Sequence, residues 1–175
     1  MKEFKYTTEQ IKGMLKYLTV LVDSREKQNA HILGYFQRQG IPYEVEKLDY
    51  GDYSCKLPAA ASGRDIYFHD SIVVERKNSL EEISGNLSKG RERFETEFLK
   101  ARNAGAKIYL MIESPLGYTG IITHGYKTGM KPAAFMASLK TWEHRFDANI
   151  QFIAPEYSGY YIASTLQYFV REALR

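Results

Sequence analysis

Ile72-Val73-Val74-Glu75-Arg76-Lys77 is the stretch on which the reading of this chain turns. Three β-branched apolar residues run straight into three charged ones, with no turn residue between them. Side chains alternate along a strand, so Glu75 and Lys77 share one face of the strand end and Arg76 takes the other. A carboxylate beside an ammonium on one face suits phosphodiester hydrolysis. The carboxylate can hold a hard divalent cation, while the lysine positions water or steadies a pentavalent phosphate. Taken alone, a Glu-x-Lys pair is more often a solvated surface pair of little energetic weight.

Working outward toward the N-terminus, residues 65–75 carry the whole strand pattern. They pair as a hairpin with a strand over 48–57 through an irregular tip at 58–63. That second strand is entered through Tyr50-Gly51-Asp52-Tyr53, and a short alternating strand precedes it at 43–47. Residues 17–22 are apolar on both faces and read as a buried strand ending in Asp23-Ser24-Arg25-Glu26. Ile32, Leu33, Tyr35 and Phe36 recur at helical spacing over 29–39, and Gly40 then Pro42 stop that helix. Residues 1–16 read as a polar, partly helical extension.

Toward the C-terminus, Ser79 and Glu82 form a capping box that opens a short helix ending near Gly85-Asn86. A helix over 89–103 lines up Phe94, Phe98 and Ala101, and a buried strand follows at 107–112. Four glycines (Gly117, Gly120, Gly125, Gly129) mark 117–131 as a loop. Phe135, Leu139, Trp142 and Phe146 stripe a helix over 132–146; a strand at 149–153 and a helix at 157–174 complete the chain. Helices interspersed among strands, with one hairpin, give an α/β fold. The expected form is an α/β/α sandwich with a central mixed sheet, a single domain over 17–175.

Composition narrows the function classes. The 175 residues are 44% hydrophobic and 26% charged, enough apolar chain for a real core without staples. Net charge is +3, permissive for nucleic acid but far from that of a histone-like binder. The single cysteine, Cys55, excludes an intramolecular disulfide or a thiolate-rich metal site, and the four histidines stand at no zinc-like spacing. No apolar run is long enough to cross a bilayer and the N-terminus lacks the core of a signal peptide, so a cytoplasmic, reducing compartment is expected. No Gly-x-x-x-x-Gly-Lys-[Ser/Thr] loop occurs, which argues against a nucleotide cofactor.

Three spaced elements agree in order and context: Asp23-Ser24-Arg25-Glu26, then Gly51-Asp52, then Glu75-Arg76-Lys77 followed by Glu81. Together they resemble the nuclease domain of XPF-type structure-specific endonucleases. The likeness extends through Ile83 to Arg91 and takes in Tyr109-Leu110-Met111-Ile112-Glu113, so the motif-bearing core spans about 18–115. Residues 130–175 are read by pattern alone. The resemblance implies a restriction-endonuclease-like fold that cleaves DNA with Mg2+ or Mn2+. Carried over, Asp52 and Glu75 are the central metal ligands and Lys77 the water-positioning lysine, with Asp23 and Glu26 shaping the acidic site and Asp23 counted as a further metal ligand. Arg76 belongs to the catalytic motif, but its side chain leaves the ligand face and a structural salt bridge is the preferred role. Glu81 stands where the family has aspartate, one methylene longer, and is kept as a metal ligand although helix capping also explains it.

The expected substrate is branched or flapped DNA, read by shape, because no motif here reads bases. Lys89, Arg91 and Arg93 at a helix start, and Tyr126, Lys127 and Lys131 in the glycine-rich segment, are the candidate DNA contacts; solvated surface is the bland alternative for each. Tyr157, Tyr160, Tyr161, Tyr168 and Phe169 either form a homodimer face or finish the monomer core. A small stand-alone nuclease from a bacterium or its phage is the expected setting. The competing class is a non-catalytic DNA-binding or dimerisation subunit, which has no physical need to keep Asp52, Glu75 and Lys77 together. A sequence-specific restriction enzyme is a third, for which only 117–131 could read bases.

Overall fold

The structure is a computed structural model that describes residues 5–175; the first four residues of the expected extension lie outside the described residues. In chain order the elements are α1 (Thr8–Leu15), β1 (Thr19–Asp23), α2 (Ala30–Gln39), β2 (Tyr43–Glu46), β3 (Tyr53–Leu57), α3 (Ala59–Ser62) and β4 (Ile66–Tyr67). They continue with β5 (Ile72–Lys77), α4 (Leu80–Leu87), α5 (Arg91–Ala104), β6 (Lys107–Glu113), α6 (Gly117–Ile122), α7 (Pro132–Phe146), β7 (Asn149–Ile153) and α8 (Ser158–Ala173). The strands form one sheet in the order β2-β1-β3-β5-β6-β7, with β4 paired beside β3. β1 and β3 pair antiparallel, as do β3 and β5, whereas β1–β2, β5–β6 and β6–β7 are parallel. The sheet is therefore mixed, as expected.

Every residue of β1, β3 and β5 is buried, because helices cover both faces. On one face Val73, Ile108, Leu110 and Ile112 pack against α4, α5 and α7. There Trp142 stacks on Phe94 at 5.7 Å, with Phe98 and Phe146 edge-on or tilted around it. On the other face Val20, Val22, Cys55, Val74 and Met111 pack against α1, α2 and α8. This two-sided packing makes the end of β5 bifacial. Glu75 and Lys77 have the parity of Val73 and face the α5 side, while Arg76 has that of Val74 and faces α2 and α8.

Several boundaries differ from the sequence reading, each for a local reason. The strand expected over 48–57 begins only at Tyr53, because Gly51 sits at φ +71° and turns the chain. A Cβ there would lie 2.7 Å from Val73 Cβ, so glycine alone fits over β5. The strand expected over 65–75 is interrupted after Tyr67 by a turn in which the Ser71 and Ile72 amides donate to the Phe68 carbonyl. Residues 59–62 of the hairpin tip form a helical turn, and α6 occupies the start of the expected glycine loop. Residues 8–15 of the extension form a capped helix with Ile11 and Met14 buried against the core. No helix among the described residues is long and apolar enough to cross a membrane.

Candidate active site

The ends of β1, β3 and β5 meet at one edge of the sandwich, where a cleft of about 310 Å³ opens. Gly51 is the hinge that places Asp52 there. Its tight turn lets the Asp52 amide donate to the Val74 carbonyl at 2.9 Å, and Asp52 Oδ2 accepts the Arg76 amide at 2.7 Å. Two backbone bonds to β5 thus fix this carboxylate. Lys77 Nζ pairs with Glu75 Oε1 at 2.8 Å and lies 4.8 Å from the centre of the Phe94 ring. Asp52, Glu26 and Lys77 line the cleft; Glu75 is 5% exposed and lies behind them, toward α5.

Asp52, Glu75 and Glu26 crowd one another around Lys77. Burial pushes the Asp52 carboxyl well up from its ordinary value, and the neighbouring Glu75 and Glu26 push it further, with Lys77 opposing. Glu75 is raised by burial against the pull of Lys77. Burial lifts Glu26 to about 7, despite Arg76, and Glu75 adds to the rise. Burial opposes the charge on Lys77, but Glu75 and Asp52 outweigh it and the ammonium is held more firmly than usual. Among the described residues, no group of three or more His, Cys, Asp or Glu side chains stands in metal-holding geometry.

Other candidates have different surroundings. Asp23 is 2% exposed, and both its oxygens are taken by Arg25, the closest contact being 2.6 Å. It therefore does not join the cleft carboxylates, and the expectation that it is a metal ligand is corrected. Glu81 turns to the 123–131 segment, where it accepts the Lys127 amide at 3.0 Å. Its neighbour Glu82 lines the cleft instead and accepts the Asn78 amide, because the third helical position projects back over the N-terminus while the second does not. Arg76 is the salt-bridge residue the alternation implied. It is 5% exposed and bound to Glu113 and Glu26.

The candidate DNA contacts divide in the same way. Lys89, Arg93, Lys127 and Lys131 are exposed. Arg91 instead packs 4.8 Å over the Trp142 ring and donates to Ser138 Oγ and the Leu87 carbonyl, so it closes the α4–α5–α7 corner. Tyr126 is 6% exposed, its hydroxyl bound to the Met130 carbonyl and its ring against Phe135, which removes it as a stacking platform for bases. Tyr157, Tyr160 and Tyr168 are exposed, whereas Tyr161 and Phe169 are half-buried and pack on the core.

The sequence reading gave no role to Arg25, Lys27, Gln28 or Asn78, all of which line the cleft. It also placed Glu113 only as the end of a strand, although it is a buried hub. The signal was present: Lys107–Glu113, like Ile72–Lys77, is an apolar strand that ends on a charge.

The family model described as the ERCC4 domain matches residues 22–164, which include the β1, β3 and β5 ends and the whole cleft. The chain belongs to the ERCC4-domain family. This is the XPF-type nuclease domain that the three motif elements resemble. Among solved structures, XPF from Aeropyrum pernix superposes with a TM-score of 0.64 at 19% identity, covering 87% of this chain and 65% of that one. XPF from Aeropyrum pernix in complex with DNA gives 0.63 at 18%, covering 88% and 66%. The ERCC4 domain here thus has the restriction-endonuclease-like fold, and it spans about two thirds of the length of the XPF chains it matches. No curated protein matches it.

Proposed function

We propose that this ERCC4 domain is a divalent-metal-dependent DNA endonuclease acting on branched or flapped DNA. The observation that carries the reading is geometric: Asp52 and Glu26 line a solvent-open cleft together with Lys77, and Glu75 stands behind them, paired with that lysine at 2.8 Å. Such a set is poised to accept positive charge. It suits Mg2+ or Mn2+, which use one or two carboxylates and take their other ligands from water and substrate phosphate. Asp52 and Glu75 would hold the ion, which when bound supplies Lewis acidity and a more acidic water.

The chain's own groups do the rest. Asp52 is pre-set by the Arg76 amide and needs no reorganisation. The Lys77 ammonium, charged at any working pH and steered by Glu75 and the Phe94 ring, has further N–H donors to orient a water or neutralise a phosphate oxygen. Arg25 and Lys27 on the cleft rim offer positive charge to flanking phosphates. DNA as the substrate class is supported by the XPF relative solved with DNA. Exposed Lys89, Arg93, Lys127 and Lys131 would extend the phosphate footprint. The exposed Tyr157, Tyr160 and Tyr168 support a homodimer, which sedimentation at rising concentration tests.

The test is an end-labelled panel of linear duplex, single strand, flap, fork and four-way junction, with Mg2+ or Mn2+, run with wild type and Glu75→Gln. Metal-dependent cuts near a branch, lost in the variant, are expected. Binding without cutting by both proteins with either metal would overturn the reading in favour of a non-catalytic subunit.

A further inference from the structure

Glu113, the last residue of β6, is 3% exposed at its side chain and does not line the cleft. Its Oε1 accepts from Ser158 Oγ at 2.7 Å, His31 Nε2 at 2.7 Å and Arg76 Nε at 3.0 Å; its Oε2 accepts Arg76 Nη2 at 2.9 Å. One carboxylate thereby joins the ends of β5 and β6 to the first turns of α2 and α8. The far side of the Arg76 fork reaches the loop after β1. Nη1 meets Glu26 Oε1 at 3.1 Å and the Lys27 carbonyl at 3.4 Å, and Nη2 meets the Gln28 carbonyl at 3.2 Å. Gln28 sits at φ +54°, a bend that an L side chain resists, and Asn78 Nδ2 holds its side-chain oxygen at 3.2 Å. Glu26, Lys27 and Gln28 are one wall of the cleft.

We infer that Glu113 is a positioning residue: acting through Arg76, it fixes the 26–28 loop, and with it the Glu26 carboxylate, as one wall of the cleft. The assignment rests on the proposed nuclease reading for its effect on cleavage, but not for its effect on the loop. Glutamine at 113 keeps the shape and some hydrogen bonding yet loses the charge that holds the guanidinium in a two-pronged grip. Arg76 is then free to shift toward Glu26 alone, and the strained bend at Gln28 loses its clamp.

Hydrogen exchange of the whole chain, read by mass spectrometry on wild type, Glu113→Gln and Ser158→Ala, tests this directly. In Glu113→Gln, amides of residues 24–29 should exchange about tenfold faster relative to those of β5 and β6. Ser158→Ala, which removes one bond to Glu113 and keeps its charge, should shift the same segment the same way by less, and it carries the test if Glu113→Gln does not fold. On the best DNA substrate, Glu113→Gln should cut about tenfold more slowly with KM changed less than about twofold, and adding it to Glu26→Gln should slow that variant by no more than about twofold. Acceleration spread evenly over the fold, an unchanged 24–29 segment, or full multiplication of the two rate losses would overturn the inference. If the wild type cuts nothing, the nuclease reading falls while the exchange result still decides the role of Glu113.

Discussion

Two sets of buried acids stand at the same end of the sheet and their protons respond in opposite directions. Asp23 and Glu113 each face arginine. Burial alone would raise both, but the Arg25 bonds hold Asp23 below its ordinary value, and Arg76, Ser158 and His31 do the same for Glu113. Asp52, Glu75 and Glu26 are raised, because burial and mutual repulsion exceed what Lys77 and Arg76 return. For Asp23 and Glu113 the arginine bonds outweigh burial, and these acids tie the sheet ends to their neighbours. Asp52, Glu75 and Glu26, whose negative charge burial and mutual repulsion disfavour, are where a cation gains most. The backbone contributes to both sets through a single alternation in β5, which sends Glu75 and Lys77 to one side and Arg76 to the other.

The largest expected contrast is in activity against stability. Asp52→Asn should lower cleavage by about a thousandfold or more while leaving the melting temperature level or slightly raised, since a disfavoured charge is removed. A melting temperature that falls sharply would make Asp52 scaffold. Arg76→Met should do the reverse to the fold, costing about 3–5 kcal/mol in urea unfolding because Glu113 and Glu26 are left buried without their partner. Gly51→Ala comes next: with φ +71° and a 2.7 Å approach to Val73, it should cost about 2 kcal/mol or more in the same assay.

The pH dependence sharpens the comparison. Glu26 at about 7 in the folded chain binds more protons there than when unfolded, where its value is near 4.5. Stability should therefore fall as pH rises through that window, by roughly 1–3 kcal/mol, and Glu26→Gln should flatten the decline. Asp23 and Glu113 act with opposite sign: their contribution is complete above their ordinary values and is lost as pH drops below them. Melting temperatures from about pH 2 to about pH 9 resolve both limbs. The smallest effect concerns the surface. Arg91→Ala should cost about 1 kcal/mol through lost packing on Trp142 and leave the salt dependence of DNA binding unchanged, whereas Lys127→Ala should reduce that slope by about 1.

Much of this was legible in the sequence. Strand alternation placed Glu75, Lys77 and Arg76 correctly, and the apolar stripes on 89–103 and 132–146 located the helices that build the α5–α7 layer. What escaped was set by loops. Asp23 closes β1 and Asp52 immediately precedes β3, and only the folded path of residues 24–28 shows that Arg25 turns back onto Asp23. Glu81 and Glu82 differ by one helical step, about 100°, which decides between the 127 amide and the cleft. Tyr126 looked like an exposed aromatic in a glycine-rich loop, but α6 and α7 give it a core to enter. Glu113 was passed over because a lone acid at a strand end acquires meaning only when Arg76, Ser158 and His31 converge on it.

Calorimetric titration of Mn2+ into wild type and Asp52→Asn at about pH 7.5, without DNA, tests most directly whether Asp52 holds a cation. One saturable site is expected in the wild type, weakened at least about tenfold in the variant. Identical isotherms for the two proteins, or no binding by either, would contradict it.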